Sequence, residues 1–264
     1  MFVTMERRLK GKTAIVTGAN RGIGKAIAQR LAAEGCRLVL CARDSRLLQE
    51  TQREIEGAGG PAASLALDLR TPEAAVRLTE FAKKTFGQID IVVNNAGATR
   101  RGEFLELTDA DWEDGFALKF FGAVRLTRAA WPHLRASAGS VVNISGVGGR
   151  MPGAQFAIGG SVNAAMLSFT KAMADVGIRD GVRVNAINPG NVRTARYLQR
   201  LEQVAREHGV DTASAEKKII AGAQVTRIGE PEDIAALVAF VVSAEGSFLQ
   251  GALIDMDGGA TKVM

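Results

Sequence analysis

The sequence predicts an α/β fold: a doubly wound (Rossmann-type) domain with about seven parallel strands and helices on both faces. Three observations carry that expectation. Short apolar, β-branched runs alternate with longer stretches whose apolar residues recur at helical spacing. The short runs are apolar throughout, as suits strands of a sheet covered on both sides. The first run enters a glycine-rich turn followed by an amphipathic stretch, an arrangement in which helix N-terminal amides can meet an anion.

Taken in order, strands are expected at 13–17, 37–41, 63–67, 89–93, 140–144, 183–187 and 252–256. Between them, helices are expected near 23–34, 44–56, 72–86, 109–134, 164–176 and 231–242. The first carries Ile23, Ala26, Ile27 and Leu31 along one face. Pro72 and Pro231 fall where a first-turn proline is welcome, because that N–H has no intrahelical partner. Strand–helix–strand repetition implies right-handed crossovers and hence parallel pairing. No repeat or low-complexity linker divides the chain, so residues 9–264 are read as one domain behind a tail of residues 1–8. Residues 193–223 break the rhythm just past a strand end, where open α/β sheets receive ligands. They are read as a substrate lid, the alternative being a surface helical hairpin.

The 264-residue chain is 47% apolar and 23% charged, the balance of a folded globular protein. No apolar run approaches the ~20 residues of a membrane span, and no signal-peptide pattern opens the chain. A cytoplasmic protein with no membrane partner is expected. Cys36 and Cys41 read as free thiols. His133 and His208 stand apart, and no metal site is expected. The net charge of +5 comes from scattered lysines and arginines without a basic run or interleaved aromatics. Nucleic acid is therefore not an expected partner. The charge is either a solvated surface or a field that attracts an anionic cofactor or substrate.

The motifs are more specific. Thr17-Gly-Ala-Asn-Arg-Gly-Ile-Gly24 places Gly18, Gly22 and Gly24 between a strand and a helix. Asn94-Asn-Ala-Gly97 follows the fourth strand, Pro189-Gly190 follows the sixth, and Asp257-Gly-Gly259 lies near the C-terminus. With Asp68-Leu69, these segments resemble the short-chain dehydrogenase/reductase family from about Leu9 to Thr261. The resemblance implies a nicotinamide dinucleotide held by Gly18, Asn20, Arg21, Gly22, Ile23, Gly24, Asn95, Ala96 and Gly97. It places Asp68 and Leu69 at adenine, and Pro189, Gly190, Val192 and Thr194 at the nicotinamide carboxamide. It also implies a small-molecule substrate and a homotetramer or homodimer.

An acidic residue after the second strand would bond the adenosine ribose and repel a 2′-phosphate. Here the strand ends Cys41-Ala42-Arg43, and Arg21 adds a second cation in the glycine loop. Guanidinium groups bind phosphate through paired N–H donors, so NADP(H) is expected over NAD(H).

The family's reaction uses an asparagine, a serine, a tyrosine and a lysine. Aligned on Asn163-Ala-Ala-Met-Leu-Ser-Phe-Thr-Lys171, this chain has Asn163 at the lysine position and Gly159 at the tyrosine position. Gly146 falls at the serine position, beside Ser145, and Lys119 at the asparagine position. Lysine and asparagine have thus exchanged places. One reading puts the Lys119 ammonium beside the ribose or substrate as a proton donor; the other has it reaching out to solvent from a long helix. Gly159 and Gly160 suggest either that the helix starts after them or that something packs closely there, and the missing tyrosine ring leaves room for a larger substrate or for Phe156. Phe104, Trp112, Met151, Phe156 and Tyr197 are candidates to line a pocket or to pack in the core. Two functions are expected from this pattern. One is hydride transfer involving a carbonyl, alcohol or imine with a non-standard proton donor. The alternative is a non-catalytic NADP(H)-binding sensor or partner protein.

Overall fold

The computed structural model describes residues 8–263, so residues 1–7 of the expected tail lie outside the described residues. Seven strands form one parallel sheet: β1 (Thr13–Thr17), β2 (Arg37–Ala42), β3 (Ala62–Ala66), β4 (Ile91–Asn94), β5 (Ser140–Ile144), β6 (Arg183–Pro189) and β7 (Leu253–Met256). Their order across the sheet is β3-β2-β1-β4-β5-β6-β7. The winding direction reverses between β1 and β4, which opens a crevice at their carboxyl ends.

Successive strand residues point to opposite faces, and each face has its own core. Ala14 and Val16 of β1 pack with Ile27 and Leu31 of α1 (Gly22–Ala33) and Ile234 and Val238 of α9 (Pro231–Val242). Ile15, between them in sequence, packs on the other side with Leu78 of α3 (Pro72–Phe86) and Leu126 and Leu134 of α5 (Gly122–Ser137). The other helix on the edge half of the sheet is α2 (Ser45–Gly57), started by the Asp44 carboxylate accepting from the Leu47 amide. Cys36 and Cys41 are buried free thiols, both pushed up to about 12 chiefly by burial.

Two helical expectations need correction. The stretch expected as one helix over 109–134 is α4 (Asp109–Gly115), a π-helical turn at Phe116–Phe121, and α5. The wider turn carries Lys119, and such turns concentrate at functional sites. The next helix, expected at 164–176 with its start after the glycine pair, is α6 (Ala157–Asp180) and contains Gly159 and Gly160. Neighbouring side chains fill the space that larger residues would take: Pro152 Cβ lies 2.9 Å from where a Cβ on Gly160 would be. Residues 193–223, finally, hold two helices, α7 (Ala195–His208) and α8 (Thr212–Ala223). They share a small core of Tyr197, Leu201, Ala205 and Ala215 with Ile228.

Polar groups tie the central strands to α5 and α6. Asn94 Nδ2 donates to Asn143 Oδ1 at 2.8 Å and to Thr127 Oγ1 at 3.1 Å. Asn143 Nδ2 donates to Thr170 Oγ1 at 2.9 Å. All four side chains are buried. Asn94→Ala would leave Asn143 Oδ1 without its donor, an expected loss of about 2 kcal/mol measurable by urea titration. At the sheet's other end, Arg8 and Arg30 both donate to Glu34. The Arg8 hydrogen bond, with that of Arg30, holds the Glu34 carboxyl below its ordinary value of 4.5 against the opposing effect of burial. Its stabilisation is therefore fully present above that ordinary value and disappears as pH falls through the depressed one. Acid titrations of stability should show a shallower decline for Glu34→Gln than for the unsubstituted protein.

Candidate active site

The loop after β1 and the loop after β4 are locked together. Thr17 Oγ1 accepts the amides of Asn95 and Ala96, each at 3.0 Å, and donates to Val93 O at 3.2 Å. Asn95 Nδ2 donates to Thr17 O at 2.9 Å. Gly18 has φ of 66° and Gly22 of 52°, conformations that side chains disfavour. A Cβ on Gly24 would stand 2.2 Å from Gly18 O and 2.4 Å from Asn95 Nδ2, so no other residue fits there. The first turn of α1 has no acidic residue, and its N-cap Arg21 makes no side-chain cap bond. Its amides thus have no side-chain acceptor in the cap, and the Gly-rich backbone leaves room for close approach. These features fit a dinucleotide's pyrophosphate. Asn20 and Ile23 flank this loop, both half-buried.

The other expected cofactor residues gather around the same crevice. Arg43, 61% exposed, lies 3.9 Å from the Asp68 carboxylate at the end of β2. Asp68 also accepts the Arg70 amide at 3.0 Å, and Leu69 is buried against Gly122. Pro189 ends β6, and a Cβ on Gly190 would meet Asp257 Cβ at 2.7 Å. Val192 bridges to Gly229, while Thr194 caps α7 and places its methyl 3.2 Å from a Cβ on Gly22.

Lys119 does not reach solvent as an extended surface side chain. Its Nζ donates to Asn163 Oδ1 at 2.6 Å and to the Ser145 carbonyl at 2.7 Å. Its stem lies against Gly97, where a Cβ would meet Lys119 Cδ at 2.9 Å. Lost hydration, followed by the positive charge of Arg196, pushes the ammonium down to about 7. Asn163 is 3% exposed, and its Nδ2 lies 2.9 Å from a Cβ on Gly146. Ser145 Oγ donates to Asn163 O at 3.1 Å, so this hydroxyl is turned to the α6 backbone. Lys119, Gly146 and Asn163 are therefore neighbours.

Gly159 belongs to the same cluster through Phe156. The Phe156 ring lies 2.1 Å from a Cβ on Gly159 and 2.9 Å from one on Gly148, filling the volume above the helix. The Arg101 guanidinium stacks on that ring, 4.0 Å from its centroid. Arg196 Nη2 donates to Gly97 O at 3.2 Å. Sequence reading missed Arg101 and Arg196 as site residues. Their only signal was position, just beyond Asn94-Asn-Ala-Gly97 and just beyond Thr194. Tyr197 is elsewhere: its hydroxyl donates to Glu216 Oε1 at 3.0 Å inside the α7–α8 core, and burial, then Glu216, pushes it up to about 12. Phe104 is exposed and Tyr197 belongs to the α7–α8 core, whereas Phe156 contacts the cluster through Gly159 and Gly148. Among the described residues no His, Cys, Asp and Glu group could hold a metal ion.

Comparison with known proteins identifies the family. The short chain dehydrogenase family model matches residues 12–205, and the chain belongs to that family. An uncharacterized oxidoreductase of Mycobacterium tuberculosis is 37% identical over 256 residues, covering 96% of this chain and 94% of that one. L-sorbose reductase from Gluconobacter frateurii, solved with NADPH and L-sorbose, superposes with a TM-score of 0.94 at 31% identity, covering 98% of this chain and 100% of that one. YwfH, an NADPH-dependent reductase involved in bacilysin biosynthesis, gives 0.89 at 28% identity over 96% of this chain and 99% of that one.

The packing of Phe156 on Gly159 is testable without any ligand. Gly159→Ala should cost about 1–3 kcal/mol, because the new methyl overlaps the ring. In a Phe156→Ala background the same substitution should cost little or stabilise the helix. Thermal unfolding of the four proteins measures that coupling.

Proposed function

We propose that this protein is an NADPH-preferring oxidoreductase whose hydride transfer, to a carbonyl or imine or from the corresponding alcohol, uses Lys119 as the proton-handling group. The observation that carries this reading is the part-buried Lys119–Asn163 hydrogen bond of 2.6 Å within a cradle suited to a dinucleotide. In family registration, Lys119, Gly146, Gly159 and Asn163 occupy the four positions of the usual asparagine, serine, tyrosine and lysine. The bound cofactor would supply or accept the hydride. The chain's part in reduction is to hold the substrate oxygen near Lys119 Nζ and pass it a proton; the resulting neutral amine then regains a proton from water. The Asn163 amide oxygen orients the ammonium without a full negative charge, so burial can bring the lysine near neutral pH. A carboxylate in its place would hold the proton more firmly.

Arg43 and Arg21 would meet the 2′-phosphate, and the absence of an acid at the end of β2 removes the repulsion that an NAD(H)-selective site would apply. The two NADPH-dependent structural neighbours support the same choice. The α7–α8 pair would cover the crevice and exclude water. The filled space above Gly159 favours a second reading, a cofactor-binding sensor or partner protein without turnover. NADPH oxidation over a panel of ketones, aldehydes and imines separates the two, with silence throughout supporting the second.

Three outcomes are expected from the first reading. Lys119→Met should lower kcat for reduction about 10²–10⁴-fold. Unchanged turnover and cofactor affinity in that variant would exclude the role. The reduction rate should rise as pH falls through about 7 and level off below it, because Lys119 donates only when protonated; Lys119→Met should lack this inflection. Arg43→Ala should weaken NADPH about 10–100-fold in fluorescence titration and leave NADH nearly unchanged.

A further inference from the structure

The positive groups around the crevice are unequally partnered. Arg100, Arg150, Arg193 and Arg227 each face a carboxylate. Arg101, Arg196 and Arg200 have no carboxylate within ion-pair distance among the described residues, although each is placed by a specific contact. Arg101 lies on the Phe156 ring, Arg196 donates to the Gly97 carbonyl, and Arg200 Nη1 donates to Asn191 Oδ1 at 3.4 Å. Lys119 approaches Gly97 through its stem. Lost hydration, then Arg200 and Arg196, hold Arg101 below the usual guanidinium range. Arg196 is lowered likewise, by lost hydration and then by Arg21. Positive charge therefore runs from the glycine loop past Lys119 to Phe156. Such mutual repulsion is relieved by a bound anion.

A dinucleotide's phosphates would answer Arg21, at the glycine-loop end. Arg101 and Arg200 lie toward the other end, where Phe156 stands above Gly159. We infer that this end of the cleft receives an oxyanionic substrate, a carbonyl compound bearing a carboxylate or phosphate group, through the Arg101 and Arg200 guanidinium groups. The inference rests on the oxidoreductase reading above and names its substrate class. Stacking on Phe156 restricts the rotation of Arg101, so its planar fork is ordered before the anion arrives. The reacting carbonyl of the same molecule would then face Lys119.

The test is binding to the full-length protein loaded with NADP⁺, which cannot reduce the probes, read by isothermal titration calorimetry. Probes are short- and medium-chain oxo acids against their methyl esters, and dihydroxyacetone phosphate against dihydroxyacetone. The charged member of at least one pair should bind about 10–100-fold more tightly. The pair with the larger preference shows whether carboxylate or phosphate is the preferred anion. Arg101→Gln and Arg200→Gln should each remove most of that preference, and Arg101→Lys should restore part of it. Equal binding of charged and neutral members throughout would overturn the inference. So would a preference that survives both glutamine variants while NADPH affinity falls instead, which would assign these arginines to the cofactor. Because binding is read apart from turnover, a protein that selects the anions but never oxidises NADPH refutes hydride transfer and leaves the anion cleft standing.

Discussion

The placement of β1 between β2 and β4 is the constraint on which the rest of the site depends. Connections on the two sides of this junction wind in opposite directions, so the loops leaving β1 and β4 separate at the carboxyl edge. Thr17 then fixes how far apart they stand, with one hydroxyl serving Asn95, Ala96 and Val93. The absence of a side chain at Gly24 allows α1 to begin tight against Gly18, and this brings its amide end to the crevice. On the β4 side, the flat backbone at Gly97 accommodates the stem of Lys119 and the guanidinium of Arg196 together. Local glycine chemistry thus sets the spacing of charges contributed by segments far apart in sequence.

Burial gives Lys119 its distinctive character. An exposed lysine would remain charged across the neutral range, and a lysine facing a carboxylate more firmly still. Here the partners are an amide oxygen and a peptide carbonyl, both neutral, and the charge acting on the ammonium is the repelling Arg196. The π-helical turn supplies the geometry. By widening the helix at Phe116–Phe121 it carries Lys119 on the segment that faces Asn163 of α6, where one hydrogen bond joins the two side chains.

Much of this arrangement was legible in the sequence because it rests on short-range rules. Continuous apolar runs gave seven strands to within a few residues, and the glycines of the first turn stood where positive φ and close approach require them. What escaped was tertiary. The π-turn has no composition signal, since Phe116–Phe121 reads as ordinary helix. The start of α6 was misplaced because glycine weakens an isolated helix, whereas here Phe156 and Pro152 pack into the space the glycines leave. Arg101 and Arg196 looked like any surface arginine until the chain brought them beside Phe156 and Gly97.

The Phe156 ring also bears on how such a site can change over generations. Placing a phenol at residue 159 would drive it into an aromatic ring already seated there, and a hydroxymethyl group at residue 146 would press on the amide of Asn163. Larger residues at Gly159 or Gly146 would therefore require compensating changes at Phe156 or Asn163. The fit of Phe156 to Gly159 and of Asn163 to Gly146 couples these positions, so what one can accept depends on what its neighbour holds.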